Sequence, residues 1–513
     1  MLGVQLRATL TSRSRLFLRN QHVRDSQSLN AATTVVSFRG LSSSSTANKL
    51  SVDDPYTGEV FFETPLLSAS EVRDLSAKSK SVQREWKTVP LEKRIQVCEG
   101  FIRYFKDNET QVATEISKQM GKPLAHAIGE IGGLEERTRA LMDLAPKALE
   151  DIVLGESPSR TGVFERTIRR EPVGTVMTLA PWNYPLLTAV NSVIPAVLAG
   201  NAVLLSHGPR APLCSFQFEK AFEAAGYPGL VLPFHSDFET VQASMRQDIV
   251  DFVSFTGSVP TGRQVYETVG SKTFMDTTLE LGGNDAGYVA ADCDLKAAID
   301  TMVDGSFFNA GQSCCGIERV FVDASVYDEF VSGARELISE YVLGNPMDSA
   351  TSMGPMARPD AVAGLASLVA DAREKGGKIL IGGNATSDVN GLGRFFEPTL
   401  ITECSSEMDV MQEETFGPIL AVQKVDSVEE AIKGINDTHY GLTASIFTKD
   451  KSLAERMAGD LEVGTVFMNR ADYLDPYLPW QGRKDTGKGL SLSQFGFQAF
   501  TNLKNLHFKL KTN

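Results

Sequence analysis

Cysteine and histidine are both scarce in this sequence, with six of each among 513 residues. No two cysteines stand in a C-x-x-C spacing, so the sequence shows neither the ligand pattern of a zinc site nor a disulfide framework. This predicts free thiols in a reducing compartment and no metal site. No histidine lies near the adjacent pair Cys314 and Cys315 in the sequence, which disfavours a cysteine–histidine hydrolase unless the fold brings such a pair together.

The sequence also lacks a long uninterrupted apolar run and an excess of positive charge. Its most apolar stretch, residues 184–205, is broken by two asparagines, a proline and a glycine. A bilayer span needs about 20 largely apolar residues, so this stretch is predicted to form a buried helix, a Gly-Asn turn and a buried strand. The net charge of −14 argues against nucleic acid and membranes as partners.

Positive charge is concentrated in the first 46 residues, which hold six arginines and a single acid, Asp25. Serine and threonine are frequent there as well. A basic, hydroxyl-rich and acid-poor segment is typical of an organelle transit peptide, so we expect import into the mitochondrial matrix. A disordered tail without a targeting role is the alternative.

Short apolar strands alternate with helical periodicity along the rest of the chain, which predicts an α/β fold with parallel sheets covered by helices. Ser427 and Glu430 fit a capping box at the start of a helix over residues 427–437. The polar stretch 156–174 interrupts the alternation and predicts a two-stranded arm that serves assembly. The predicted strands lie within residues 173–180, 202–205, 230–234, 251–258 and 319–323.

The paired cysteines are the first candidates for chemistry. Attack by sulfur requires a thiolate, and an ordinary cysteine with a pKa of about 8.5 supplies little of it at pH 7. Cys314 and Cys315 follow NAGQS, residues 309–313, whose small residues let the backbone approach a substrate closely. The pair is interpreted as a nucleophile with a neighbour, and two buried, inert thiols are the alternative.

Three further segments carry candidate groups. Glu280 ends an apolar segment, where loss of water would raise its pKa and suit it to general-base catalysis. Asn183 lies between two prolines and could present its amide to an oxyanion. Residues 252–265 form a strand, a Thr-Gly-Ser turn and a helix, a geometry that aims helix N-terminal amides at a phosphate. Each segment also has an ordinary interpretation as a turn or a solvent-facing helix end.

The order of these motifs resembles the aldehyde dehydrogenase superfamily. PWNYP with Asn183, FTGS at 255–258, LELGG with Glu280, GQSC with Cys314 and EETFGP at 413–418 follow one another as in that family. The segment LPWQGRKDTGKG, near the C-terminus, is similar to the family's PFGGxKxSGxG. The resemblance spans roughly residues 50–505.

The resemblance implies an α/β fold with a Rossmann-like cofactor domain, a second α/β catalytic domain that bears the cysteine, and a small β oligomerisation arm. The expected cofactor-binding domain is 47–151 with 173–282, the arm is 152–172 with 496–510, the catalytic domain is 283–495, and residues 1–46 are the transit peptide. The expected partners are a small-molecule aldehyde and further copies of the chain, in a homodimer or homotetramer.

The resemblance also implies residue roles. Cys314 matches the nucleophile, Glu280 the general base, and Asn183 with the Cys314 N–H the oxyanion hole. The implied reaction is NAD(P)-dependent oxidation of an aldehyde to a carboxylic acid, through a Cys314 thiohemiacetal and a thioester that Glu280 helps to hydrolyse. The expected cofactor-binding residues are Trp182, Ser206, Gly257, Ser258, Leu281, Glu414 and Phe416.

The sequence departs from the family at the adenosine end of the cofactor site. Ser206 stands where a lysine is usual, and Pro209 where a glutamate is frequent. Without that carboxylate to repel a 2′-phosphate, and with His207 and Arg210 nearby, NAD is the expected cofactor and NADP is permitted.

Two alternatives remain open for the activity. A CoA-acylating enzyme would need no hydrolytic base, which the retained Glu280 argues against. A catalytically impaired relative with a binding or structural role is compatible with the altered adenosine pocket. The substrate is equally open between a cationic clamp and an apolar tunnel. The clamp candidates are Arg319, Arg470 and Arg483, and the tunnel candidates are Tyr473, Tyr477 and Trp480.

Overall fold

A computed structural model describes residues 48–159, 162–247, 249–271 and 274–511. The predicted transit peptide, residues 1–46, lies outside these ranges. In the described part of the chain, no helix is both long and apolar enough to cross a membrane.

The described helices and strands alternate through most of the chain, as the sequence predicts. The helices are α1 (Ala69–Trp86), α2 (Leu91–Asp107), α3 (Glu109–Met120), α4 (Leu124–Ala148), α5 (Pro185–Ala199), α6 (Pro212–Ala224), α7 (Phe238–Met245), α8 (Val259–Gly270), α9 (Leu295–Phe307), α10 (Tyr327–Ile338), α11 (Ala361–Glu374), α12 (Val428–Asn436) and α13 (Lys451–Asp460). The strands are β1 (Lys49–Asp53), β2 (Val60–Pro65), β3 (Ile152–Ser159), β4 (Gly162–Pro172), β5 (Thr175–Ala180), β6 (Ala202–His207), β7 (Val231–Pro233), β8 (Phe252–Gly257), β9 (Thr277–Leu281), β10 (Asp285–Val289), β11 (Ile317–Asp323), β12 (Lys378–Ile381), β13 (Ala385–Thr386), β14 (Phe395–Phe396), β15 (Thr399–Thr402), β16 (Ile419–Val425), β17 (Thr443–Phe447), β18 (Thr465–Met468), β19 (Gly487–Lys488) and β20 (Thr501–Lys511).

The first large sheet has six strands in the order β19-β9-β8-β5-β6-β7. All its pairings are parallel except that of β19 with β9. Its central strands read as continuous apolar runs because helices cover both faces. The apolar stretch 184–205 forms α5, a turn at Gly200 with a φ of 98°, and β6, as predicted. Every α5 residue from Ala189 to Ala199 is buried, which accounts for its lack of a polar face.

The second large sheet has seven strands in the order β12-β15-β16-β11-β10-β17-β18. Only the edge strand β12 runs antiparallel to its neighbour. Strand β9 of the first sheet and β10 of the second are joined by residues 282–284, so this short link carries the chain from one sheet to the other. Parallel sheets of this kind confirm the predicted α/β class.

The predicted arm is a three-stranded antiparallel sheet in the order β20-β4-β3. The stretch 156–174 alone predicts two strands, and the third, β20, comes from more than 300 residues further along the chain and pairs with β4 from Thr501↔Pro172 onward. Local sequence cannot reveal such a pairing. Large apolar side chains of this sheet are exposed to solvent, namely Val153, Leu154, Leu503 and Phe508.

The predicted capping box at α12 is half present. The Ser427 hydroxyl accepts from the Glu430 N–H at 3.2 Å, as expected. The Glu430 carboxylate does not return to the Ser427 N–H; it accepts instead from the N–H of Asp426 at 2.9 Å. Because the carboxylate still satisfies a backbone donor beside the helix start, the helix is capped in an equivalent way.

Candidate active site

The paired cysteines lie in the loop between α9 and β11. Asn309, Ala310 and Gly311 all adopt positive φ, at 54°, 57° and 68°. A Cβ added at Gly311 would lie 2.1 Å from a backbone oxygen of residue 417, so only glycine fits there. This turn links the end of α9 to the segment that carries Cys314. Cys314 is partly exposed, whereas the other five cysteines are buried.

Cys315 differs sharply from its neighbour. It is 2% exposed and packs with Leu442, Trp480 and Leu492. A hydrogen bond with Cys314 and burial raise the pKa of the Cys315 thiol well above its ordinary value. Cys314 is therefore the accessible member of the pair, and the raised pKa of Cys315 disfavours the thiolate form that a nucleophile needs.

Asn183 reaches the cysteine loop from the other sheet. It follows β5, is 4% exposed, and donates from Nδ2 to the carbonyl oxygen of Gln312 at 3.1 Å. In return, Asn309 donates from Nδ2 to the Asn183 carbonyl at 3.2 Å. These two hydrogen bonds hold Asn183 against the loop that carries Cys314. Asn183 also lies just beyond the carboxyl end of the parallel strand β5, where folds of this kind place their ligands.

Glu280 lies on β9 opposite Thr256 of β8 and Gly487 of β19. Burial raises the pKa of its carboxyl, while hydrogen bonds from Ser491 and Thr256 and the charge of Arg137 act in the opposite direction. A raised pKa is the property expected of a general base that works near neutral pH.

Arg137 on α4 is a buried cation that the sequence analysis missed. It is 8% exposed, and it donates from Nη1 to the Leu187 carbonyl at 2.9 Å and to Asn191 Oδ1 at 3.2 Å. Burial lowers its pKa, while the charges of Cys315, Glu280 and Cys314, among others, raise it. The nucleophile and base candidates are therefore both within electrostatic range of one cation. No local motif marks this arginine.

The nicotinamide end of the expected cofactor site converges on the same place. A carboxylate oxygen of Glu414 accepts from the Gly283 N–H at 3.2 Å, and burial raises the pKa of Glu414 to about 8. A Cβ on Gly283 would lie 2.8 Å from the Cys314 carbonyl oxygen, so the hydrogen bond between Gly283 and Glu414 lies next to the loop that carries Cys314. The rings of Trp182 and Phe416 meet edge to face at 5.7 Å.

The turn before α8 is open to an anion. Ser258 occupies the N-cap position, but its side chain makes no capping hydrogen bond; its hydroxyl donates to Thr261 Oγ1 at 3.0 Å. A Cβ at Gly257 would lie 2.6 Å from the Phe255 ring, and Leu281 packs tightly against Gly262 of α8. The uncapped helix N-terminus suits a phosphate.

The adenosine end corrects part of the sequence interpretation. Both ring nitrogens of His207 are engaged, with Ser215 Oγ and with the Pro185 carbonyl oxygen, each at 2.8 Å. Arg210 pairs with Asp53 and also donates to the Gln119 carbonyl at 2.5 Å. Neither side chain is free to meet a 2′-phosphate. Ser206, at the end of β6, is half-buried.

Two of the clamp and tunnel candidates are also placed elsewhere. Arg319 is buried and donates to backbone carbonyls, including that of Asn284 at 3.0 and 2.8 Å, so it braces the second sheet. Trp480 is 4% exposed within the cluster around Cys315, whereas Tyr477 is 55% exposed. Arg470 stacks on Tyr473 at 3.4 Å.

A second feature missed by the sequence analysis supports Asn183 from behind. The Lys122 ammonium and Glu130 carboxylate form an ion pair at 2.5 Å, with each side chain 1% exposed. The other Glu130 oxygen accepts from the N–H groups of Leu186 at 2.8 Å and Leu187 at 3.3 Å. These donors form the first turn of α5, directly after Asn183, so the pair fixes where that helix begins.

Comparison with known proteins gives one consistent result. The model of the aldehyde dehydrogenase family matches residues 42–506. The chain is 34% identical to the rat aldehyde dehydrogenase, cytosolic 1, over 429 residues, which cover 83% of this chain and 84% of that one. It is 31% identical to the NADP(+) succinate-semialdehyde dehydrogenase of Deinococcus radiodurans, over 88% of this chain and 93% of that one. Among solved structures, betaine aldehyde dehydrogenase from Staphylococcus aureus in complex with NAD+ aligns with a TM-score of 0.86 and 28% identity, over 91% of this chain and 92% of that one.

Proposed function

Because the chain belongs to the aldehyde dehydrogenase family and is an NAD(P)-dependent enzyme that oxidises aldehydes, we propose that Cys314 is its nucleophile, Asn183 its oxyanion donor and Glu280 its general base. The observation that carries this assignment is the hydrogen bond from Asn183 Nδ2 to the Gln312 carbonyl, two residues before Cys314. Glu280 is the candidate base because burial raises the pKa of its carboxyl, and both it and Cys314 lie within electrostatic range of the Arg137 cation.

The first step is addition of the Cys314 thiolate to the aldehyde carbon. The carbonyl oxygen becomes an oxyanion, which the Asn183 amide and the Cys314 N–H stabilise by donating hydrogen bonds. Asn183 uses one N–H on the Gln312 carbonyl, and its amide has a second to offer. A donor of this kind is worth about 10²–10³ in rate.

The residues of the cofactor site fit a pyridine dinucleotide. Glu414 is a half-buried carboxylate that accepts a hydrogen bond from the Gly283 N–H, and hydroxyl groups such as those of a ribose are donors that its remaining lone pairs would accept. Trp182, Leu281 and Phe416 would border the nicotinamide, Gly257 and Ser258 the pyrophosphate, and Ser206 the adenosine. When bound, NAD(P) supplies the hydride acceptor.

The last step is hydrolysis of the Cys314 thioester. Glu280 in its carboxylate form removes a proton from the attacking water, and the Cys314 thiolate leaves. Burial raises the pKa of Glu280, which makes its carboxylate a stronger base toward the proton of the attacking water. The product is a carboxylic acid.

Cofactor choice, assembly and location extend this proposal. We infer that NAD is preferred and NADP accepted, because Pro209 replaces the carboxylate that would repel a 2′-phosphate. The exposed apolar residues of the three-stranded sheet favour a homodimer or homotetramer, which light scattering would test. The composition of residues 1–46, which precede most of the family match, favours a mitochondrial transit peptide, which import of a fluorescent fusion would test.

The activity is tested by following NADH or NADPH production across a panel of aldehydes. We expect turnover by the wild-type protein and none by Cys314→Ala. Cys404→Ala is the matched control, because Cys404 is a buried thiol in a different hydrophobic cluster. Turnover by Cys314→Ala comparable with the control would refute the assignment, and a preference for NAD beyond about 10³-fold would refute tolerance of the 2′-phosphate.

A further inference from the structure

A carboxylate lies beside the nucleophile loop, and the proposed mechanism does not use it. Asp472 follows β18 and accepts two hydrogen bonds at the same oxygen, Oδ1. One comes from the Ser313 hydroxyl at 3.1 Å and the other from the Cys315 thiol at 2.9 Å. Ser313 and Cys315 are the two residues that flank Cys314, so one carboxylate oxygen accepts hydrogen bonds from the residues on both sides of the proposed nucleophile.

The backbone around Asp472 is held in place independently. Asp472 has a φ of 45°, a left-handed conformation that persists in a non-glycine residue when the surroundings impose it. Three residues earlier, Asn469 exchanges two hydrogen bonds with the backbone of Thr448, at 3.0 and 3.1 Å. Ala471 packs toward Gly305 of α9, the helix that leads into the cysteine loop. The backbone segment that carries Asp472 is therefore held by contacts outside the cysteine loop.

The hydrogen bond to Asp472 keeps the Cys315 thiol in its protonated form. Ser313 and Cys315 are 3% and 2% exposed, so their side chains face the protein and not the substrate. A carboxylate can only accept, so the Cys315 sulfur must keep its proton to make this bond. Ionisation of Cys315 would place two negative charges about 3 Å apart, which is unfavourable in a buried site. Cys315 is thus fixed as a donor.

We propose that Asp472 is a positioning residue for Cys314, because its bonds to Ser313 and Cys315 fix the backbone that carries the nucleophile and keep the neighbouring thiol out of the reaction. This inference rests on the proposed role of Cys314. The backbone in question includes the Cys314 N–H, which is half of the proposed oxyanion hole. A displacement of about 1 Å in such a group can cost about 10²-fold in rate.

The test compares variants that keep the hydrogen bonds with variants that lose them. Asp472→Ala is expected to lower kcat by about 10- to 100-fold while KM for the aldehyde changes less than about 3-fold, because binding contacts remain and only the reacting geometry is lost. Cys315→Ser retains a donor to Asp472 and is expected to keep most of the kcat, whereas Cys315→Ala is expected to lose about 10-fold. Cys404→Ala controls for loss of a buried thiol.

Two further measurements separate positioning from general damage. The double variant Asp472→Ala/Cys315→Ala should be scarcely slower than Asp472→Ala alone, because both changes remove the same bond. Iodoacetamide labelling, resolved by tandem mass spectrometry, should modify Cys314 alone in the wild type and reach Cys315 in Asp472→Ala.

A wild-type kcat in Asp472→Ala, or equal kcat values in Cys315→Ser and Cys315→Ala, would overturn the proposal. If Asp472→Ala does not fold, the Cys315 pair and Ser313→Ala decide the question alone. Failure of the proposed function has a different signature: Cys314→Ala would then turn over aldehyde whatever the Asp472 variants do.

Discussion

Replacing Lys122 by methionine removes the cation from a pair that water does not reach. Both side chains of the Lys122–Glu130 pair are 1% exposed, and Glu130 also accepts from the first turn of α5. Methionine fills nearly the same volume without charge, so the change isolates the electrostatic loss. The Glu130 carboxylate is left buried without its ion-pair partner.

The expected loss in the free energy of unfolding depends on the groups that still stabilise the buried Glu130 carboxylate once Lys122 is gone. Breaking a buried ion pair by removing one partner costs about 3–5 kcal/mol. The two N–H bonds and the positive end of the α5 dipole continue to stabilise the carboxylate, by about 1–2 kcal/mol at a helix N-terminus, so the lower part of that range applies. Loss of the Lys122 contact with the Tyr184 ring, at 4.1 Å, adds about 0.5–2 kcal/mol. Taking about 3 kcal/mol for the ion pair, we expect a total of about 3.5–5 kcal/mol.

The assay is urea-induced unfolding followed by tryptophan fluorescence. The double variant Lys122→Met/Glu130→Gln removes both charges, keeps an oxygen to accept from Leu186, and should recover at least about half of the loss. Lys296→Met is the surface control, because Lys296 pairs with Asp300 at 84% exposure and should cost less than about 0.5 kcal/mol. The reasoning is wrong if Lys122→Met matches Lys296→Met, or if the double variant is less stable than the single.

Three further predictions concern the reaction. Asn183→Ala should lower kcat by about 10²–10³-fold in steady-state assays; a change below about 3-fold would remove Asn183 from the oxyanion hole. Because burial raises the Glu280 pKa, its active carboxylate form accumulates as pH rises, so the wild-type rate should increase with pH along a limb displaced above the usual glutamate range, and Glu280→Gln should abolish that limb in a pH–rate profile. Glu414→Gln should weaken NAD binding measured by fluorescence titration at pH 9, above its pKa of about 8, and an unchanged Kd there would contradict the ribose contact.

The parts of the fold that could be predicted are those whose signal is local. The apolar runs around residues 175–180, 202–207 and 252–257 predict buried parallel strands because helices cover both faces of such strands. The Gly-Asn turn at residue 200 likewise follows from neighbouring residues. The family match then confirms what the order of the motifs indicates.

The parts that could not be predicted depend on contacts between distant segments. Arg210 seemed free for a 2′-phosphate until the fold brought Asp53 to it across 157 residues. The third strand of the arm has no local signal either, and only the family resemblance placed residues 496–510 in the arm. The Asp472 acceptor likewise lies far along the chain from its donors. A buried charge shows no local pattern of its own, so Arg137 and the Lys122 pair were invisible in the sequence.

The central claim is that the sulfur of Cys314 becomes covalently attached to the substrate carbon, and trapping the acyl group tests it most directly. Glu280→Gln should slow hydrolysis, so acid quenching after mixing with aldehyde and NAD should leave an acyl group on the protein. Tandem mass spectrometry is predicted to find it on Cys314 at close to one per chain. An adduct on Cys315, or none despite a burst of NADH, would contradict the account.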